Sequence, residues 1–290
     1  MPPAQHRRYL CRPMAVSYEH IQEAAAFLTK QLPATYKTAV VLGSGLGNFA
    51  AELENKIEIE YQNIPYFPVS TVAGHQGQLI AGTVDSVPVL CMAGRFHFYE
   101  GYSAQEVVFP IRVLKQLGVH TVLLSNAAGG VDPSFKVGDL MLITDHISFA
   151  TVNPLLGEND ERLGPRFPDM SEPYKKNLIA QARSIAQKAG ISLKEGIYFG
   201  VTGPTFETRA EYKLIHALGG SAVGMSTVQE VIAAVHAGID VFAVSVITDV
   251  GIREEENTIT HEEVLQAAKE AEPKLTQIFR TLITYTGTAS

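Results

Sequence analysis

The sequence contains no tryptophan, and its two cysteines, Cys11 and Cys91, belong to no CxxC spacing. That excludes a disulfide scaffold and the thiolate metal sites built on paired cysteines, and it fits a reducing, cytoplasmic compartment. No run of about eighteen apolar residues occurs, so no membrane-spanning helix is expected. The first thirteen residues carry three arginines but no long apolar stretch, so they read as an extension ahead of a domain covering residues 14–290, with no secretory signal. Charged residues are only 18% of the chain and the net charge is −7, which argues against nucleic acid as the main partner. Any anion site must therefore be local. There is no GxxxxGK(S/T), so this is not a P-loop protein, and the nine histidines show no HExxH or HxH spacing. Neither Ser44 nor Ser226 has the flanking glycines of a nucleophile elbow, which disfavours a serine hydrolase. No metal and no cofactor are expected.

What is present is enough apolar sequence, 46% of 290 residues, to bury a full core. Tyr18–Leu32 reads as an amphipathic helix capped by Ser17, and Thr38–Leu42 as a strand covered on both faces. Gln78–Val84 and Val87–Ala93 read as a hairpin turning at Asp85-Ser86, and Ser103–Leu117 as a helix bent at Pro110. Strands follow at Val119–Leu124, Asp139–Asp145, Gly196–Thr202, Ala222–Met225 and Val241–Ile247. Helices are expected at Pro173–Ala189, Glu207–Leu218 and Val228–Ala237, with a last one capped by Thr260 through Thr260-x-x-Glu263 and running to about Leu282. Phe149–Glu172 is a long polar loop, a length that usually marks a functional or interface element. The alternation predicts one α/β domain with a mixed central sheet flanked by helices.

Polar residues recur where these strands end. Arg95, His97 and Tyr99 alternate after an apolar strand, so they share a face. Gly43–Gly47 opens from another strand but carries Asn48 where a dinucleotide fingerprint wants its third glycine. In open α/β sheets ligands bind at the carboxyl ends of strands, so these stretches are expected to converge. Ser44, Arg95, His97 and Ser226 suit an oxyanion, Tyr99 and Met225 a sugar face, and Phe206, Glu207 and Asp249 a nitrogenous ring. Residue chemistry alone thus points to a small anion beside an uncharged heterocyclic compound, and names no reaction.

The same stretches, VVLGSGLG, STVAGHQGQL, GRFHFYEGY, NAAGG, RFPDMSEPY, GPTFET, VGMSTVQEV and THEEVL, span roughly Val40 to Leu265. In content and order they resemble the trimeric, low-molecular-mass purine nucleoside phosphorylases. The resemblance implies a mixed, partly barrel-like sheet and the cleavage of a purine (deoxy)ribonucleoside by inorganic phosphate as co-substrate. It places phosphate on Ser44, His75, Arg95, His97, the Ala127 amide and Ser226. It places the nucleoside on Tyr99, Tyr198, Phe206, Glu207, Val223, Met225, Thr248, Asp249 and His261, with catalytic roles for His97, Glu207, Asp249 and His261. It further implies a homotrimer in which Phe167 reaches a neighbouring active site, and it leaves Glu100 as a residue to orient His75.

One position departs from that pattern. Members of the family that cleave inosine and guanosine have Thr-Asn where this chain has Thr248-Asp249. An ionised Asp249 cannot donate to purine N7, whereas a protonated one can, and it would also accept from a 6-amino group. Glu207 pulls the other way, because its carboxylate accepts from the N1–H that adenine lacks. The expectation is that 6-oxopurine nucleosides are the main substrates, with some adenosine cleavage. The rival readings are a 5′-methylthioadenosine phosphorylase, disfavoured by His261 near the 5′-position, and a non-catalytic purine-binding regulator.

Overall fold

Thr38–Val41 is buried along its whole length, so its β-branched residues need partners on both edges and cover on both faces. A computed structural model describing residues 16–69, 76–252 and 260–288 supplies them. The strands are β1 (Thr38–Val41), β2 (Glu54–Glu60), β3 (Gln78–Val84), β4 (Val87–Ala93), β5 (Thr121–Gly130), β6 (Leu140–Ala150), β7 (Leu193–Val201), β8 (Ala222–Gly224) and β9 (Asp240–Val250). The helices are α1 (Tyr18–Thr29), α2 (Asn48–Ala51), α3 (Ala104–Val107), α4 (Phe109–Gln116), α5 (Lys176–Ala189), α6 (Arg209–Ala217), α7 (Val228–His236) and α8 (His261–Thr288).

Among the described residues the strands form one mixed sheet in the order β2-β3-β4-β1-β5-β8-β7-β6-β9. A further parallel pairing of β5 with β9 closes β5, β8, β7, β6 and β9 into a ring. The sheet is therefore an open wing joined to a small barrel, as the resemblance implied. The long β5 belongs to both parts, because one edge pairs with β1 and then with β8, while the other pairs with β9 along its whole length. A β-bulge interrupts the β5–β9 register, where Ala128 faces Ile247 but Gly129 faces Asp249. Thr248 is the extra residue, and such a bulge re-aims the side chains beside it.

Several elements match the sequence reading closely. Ser17 caps α1 by accepting from the His20 amide, and Asp85 and Ser86, with φ of 49° and 68°, turn the β3–β4 hairpin. Others differ for physical reasons. The segment expected as one bent helix is two, because the chain breaks at Val108 and Pro110 lies in the first turn of α4, where its missing N–H has no partner to lose. The strand expected to stop at Leu124 continues through Ser-Asn-Ala-Ala-Gly-Gly to Gly130, since closing the barrel demands partners on both sides. The last helix passes Pro273 and reaches Thr288. Strand β2, ENKIEIE, was not anticipated; it is an edge strand whose exposed charges discourage further pairing.

Helix α8 fixes the Gly43–Gly47 turn at the end of β1. Gly45, at φ +74°, lies so close to the helix that an added Cβ would stand 2.9 Å from both the Ala268 Cβ and the Leu265 carbonyl. Below it Glu272, only 2% exposed, accepts from the Phe49 amide at 3.1 Å and hydrogen-bonds Asn48, holding the first turn of α2. Removing that acceptor strands a buried N–H, so Glu272→Ala is expected to lower stability by about 1–3 kcal/mol. Glu272→Gln retains an acceptor and is expected to lose less. Urea unfolding of the two variants checks this, and equal midpoints would contradict it.

Candidate active site

Strand β4 ends at Ala93, and Gly94, with φ +116°, turns the chain so that Arg95 points inward. Its side chain is 1% exposed, and a buried guanidinium is tolerated only if its N–H groups are met. Nη2 donates to the Ser125 carbonyl at 2.6 Å and the Val41 carbonyl at 3.3 Å, on β5 and β1. Nη1 donates to Ser226 Oγ at 2.9 Å and Thr227 Oγ1 at 3.0 Å, and Glu230 lies 3.6 Å away.

The hydroxyls follow from that cation. Thr227 Oγ1 accepts from Arg95 and also from Asn126 Nδ2 at 2.9 Å, which uses both its lone pairs. Its own proton then goes to Ser226 Oγ, 3.1 Å away. Ser226 thereby accepts from Thr227 and Arg95, which leaves its O–H to donate, either to the Tyr198 hydroxyl behind it or into the recess it lines. Thr227 adopts φ 72°, ψ −54°, with the Val228 amide donating to the Ser226 carbonyl at 2.8 Å. This positive-φ γ-turn is rare and strained, and at a β-branched residue the surrounding bonds must hold it.

His97 faces the same recess. Its Nδ1 lies 2.9 Å from Glu100 Oε1, which also accepts from the His97 amide at 2.9 Å, so the carboxylate fixes Nδ1 as the protonated nitrogen. The ring stacks on Tyr99 at 4.7 Å between centroids. Burial, reinforced by Glu100, pushes the Tyr99 phenol up to about 12, so it stays a neutral donor. Glu100 thus orients His97, while His75, which it was expected to orient, lies outside the described residues.

Past the bulge, the far wall is acidic. Thr248 Oγ1 lies 3.3 Å from Asp249 Oδ1, and Tyr212 of α6 donates to Asp249 Oδ2 at 3.0 Å. Glu207 precedes α6, and the Tyr212 hydroxyl hydrogen-bonds it as well. Burial raises the Glu207 carboxyl above its ordinary value, and the Asp249 and Glu211 charges add to this against the bonds from its backbone and Tyr212.

One recess, about 690 Å³ including its open mouth, gathers these groups. It is lined by Ser44, Arg95, His97, Tyr99, Ala127, Phe206, Glu207, Val223, Met225, Ser226, Thr248, Asp249 and His261, all named from the sequence. Two expected residues stand elsewhere. Tyr198 is wholly buried one layer behind the wall, where its hydroxyl meets the Ser226 amide at 3.5 Å and excludes a Cβ at Gly224. Phe167 is 86% exposed and lies against a separate surface recess with Asp145 and His146. Tyr212 and Thr227 are the residues that sequence reasoning missed. A tyrosine in the second half of a helical turn reads as core, and Thr227 is hidden beneath Ser226. Among the described residues no His, Cys, Asp and Glu cluster is arranged to hold a metal.

The phosphorylase superfamily model matches residues 37–284. The chain belongs to the phosphorylase superfamily. Its relatives within that superfamily include purine nucleoside phosphorylase 1 of Bacillus subtilis, 46% identical over 265 residues, which cover 91% of this chain and 98% of that one. Isoform 2 of purine nucleoside phosphorylase from Schistosoma mansoni, solved with cytosine and ribose-1-phosphate, superposes with a TM-score of 0.88 at 42% identity, covering 92% and 96% of the two chains. A Schistosoma mansoni purine nucleoside phosphorylase solved with adenosine gives 0.87 at 39% identity over 92% and 97%.

The hydroxyl relay makes a prediction particular to this phosphorylase. Thr227 does not line the recess, yet Thr227→Val leaves the Arg95 and Asn126 donors unmet and frees the Ser226 proton to turn away. Its KM for phosphate is expected to rise about ten- to a hundredfold, close to the effect of Ser226→Ala. Steady-state kinetics at varied phosphate measures both; a Thr227→Val KM like that of the unmodified protein would contradict the relay.

Proposed function

We propose that this chain cleaves purine nucleosides with phosphate, giving the free base and (deoxy)ribose 1-phosphate, mainly from 6-oxopurine nucleosides and also from adenosine. The observation that carries this reading is that one recess is lined by Ser226, Arg95 and His97, which suit an anion, by Tyr99 and Met225, which suit a sugar, and by Glu207 and Asp249, which suit a base. The named activities of its relatives agree with it.

The chemistry follows from where the charges sit. As the bond from C1′ to N9 breaks, positive charge grows on the sugar and the electron pair leaves on the purine. A phosphate oxygen bound at Ser226 stabilises the first charge and then forms the new bond to C1′. A proton donated at the N7–O6 edge and a carboxylate on N1–H stabilise the second. His261, the first residue of α8, within the Thr260–Glu263 capping box, is suited to the 5′-hydroxyl. Ser44, the Ala127 amide and His75 complete the phosphate site, and Phe206, Val223 and Thr248 the nucleoside site. The catalytic groups in this reading are His97, Glu207, Asp249 and His261.

We further propose a cytoplasmic homotrimer. Phe167, exposed with Arg166 over its ring at 5.6 Å, would cover the open mouth of a neighbour's recess. No helix among the described residues is long and apolar enough to cross a membrane.

Incubation with inosine, with and without phosphate, tests the reaction; hypoxanthine released only when phosphate is present is expected, and no release from any purine nucleoside would overturn it. A second expectation concerns pH. Glu207 must be ionised to accept from N1–H, and its pKa is raised above the ordinary 4.5. The kcat/KM for inosine is therefore expected to be full above that raised pKa and to be lost as pH falls through it, at higher pH than an exposed glutamate would impose. Glu207→Gln is expected to remove this acid limb and to lower kcat/KM about ten- to a hundredfold. A profile with its limb intact would clear Glu207 of the role.

A further inference from the structure

We infer that Tyr212 is the positioning residue that lets one base site serve both 6-aminopurine and 6-oxopurine nucleosides, by setting a single phenol proton between the Glu207 and Asp249 carboxyls. The inference rests on the phosphorolysis reading above and goes beyond it, since it assigns the choice of base to a residue outside the motifs.

The geometry is built for this contact. Tyr212 projects from α6 with its ring buried, and its hydroxyl lies 3.0 Å from Asp249 Oδ2 while also bonding Glu207. Two glycines make the room. A Cβ on Gly129 would stand 2.8 Å from the Tyr212 hydroxyl and 3.1 Å from Asp249 Oδ2, and one on Gly251 would collide with the Tyr212 ring. The β-bulge at Thr248 turns Asp249 toward this point, and the Thr248 hydroxyl supplies a second donor to the same carboxyl.

A phenol has one proton to give and two carboxyls to give it to. Two buried carboxyls on one hydroxyl cannot both ionise cheaply, so the pair retains one proton of its own. The groups around it reinforce this: Glu211 from α6 adds negative charge, while Tyr198 from β7 is neutral and His261 of α8 opens on the same recess. The proton has two useful places. With it on Glu207, that carboxyl donates to the N1 lone pair of adenine, and ionised Asp249 accepts from the 6-amino group while Tyr212 and Thr248 support it. With it on Asp249, that carboxyl donates at the N7–O6 edge, and ionised Glu207 accepts from N1–H while the Tyr212 hydroxyl turns to it. Both arrangements contain the same number of protons, so changing substrate needs no proton from solvent. The 3.0 Å bond from the phenol goes to Asp249, the carboxyl that is ionised in the 6-amino arrangement, so losing the phenol hurts that arrangement more.

The test compares kcat/KM for adenosine and inosine in the intact enzyme and in Tyr212→Phe, Asp249→Asn and the double variant. Tyr212→Phe retains the ring and its packing; the adenosine-to-inosine ratio is expected to fall about tenfold. Asp249→Asn is expected to lower the ratio too, and adding Tyr212→Phe to it should change the ratio no further, because the phenol acts through that carboxyl. Removing the hydroxyl should also raise the pH at which adenosine cleavage fails on the alkaline side, since the pair then holds its proton more tightly. An unchanged ratio in Tyr212→Phe, or an equal further drop in the Asn background, overturns the inference. So does an unmodified enzyme that cleaves inosine but no adenosine, which leaves the phosphorolysis reading standing; cleavage of neither nucleoside overturns that reading itself. Should Tyr212→Phe fail to fold, the alkaline limbs for adenosine in the unmodified enzyme and in Asp249→Asn decide the matter, and limbs at the same pH overturn the inference.

Discussion

A buried guanidinium organises this protein. Arg95 cannot be dehydrated without partners, and the carbonyls of Val41 and Ser125 are available to it because β1 and β5 run parallel, with the last residue of β1 beside Leu124 of β5. Its other face collects Ser226 and Thr227 at the start of α7, so one cation ties the open wing of the sheet to the barrel. The strained backbone at Thr227 makes sense in that setting. The turn is held by the hydroxyl bonds above it and by the Glu230 carboxylate on the Thr227 amide at 3.2 Å, and it keeps Ser226 at the wall of the recess. In the proposed reading Arg95 acts on the phosphate largely through the Ser226 hydroxyl it polarises.

The opposite wall follows a different rule. There negative groups are brought together, Glu207 and Asp249, in a chain whose net charge is already −7. Like charges in a buried place hold protons, and protons are what a departing purine needs. The recess thus carries a cation and an acidic pair among its lining groups, with the aromatic and thioether surfaces of Tyr99 and Met225 beside them. That polarity matches the charges that develop when a glycosidic bond is cut by phosphate.

Much of this was legible in the sequence, because strand ends in parallel sheets collect ligand residues and the polar ones stand out after apolar runs. Arg95, His97, Ser226 and Glu207 announce themselves in this way. The rest was hidden by tertiary structure. Nothing local marks the bulge at Thr248, since it arises from a register shift between strands more than a hundred residues apart. Tyr212 has the spacing of a core residue, and only the glycines opposite it, Gly129 and Gly251, betray that its hydroxyl is in use. Barrel closure likewise lengthened β5 through a glycine-rich stretch that reads as a loop end.

The account stands most directly on where an anion sits. A crystal structure with hypoxanthine and sulfate bound would decide it. The account predicts a sulfate oxygen within hydrogen-bonding distance of Ser226 Oγ and of His97, with Arg95 still bonded to the Val41 and Ser125 carbonyls and the base edge against Glu207 and Asp249. An anion held elsewhere, or an Arg95 that leaves those carbonyls to take the anion while Ser226 turns away, would contradict it.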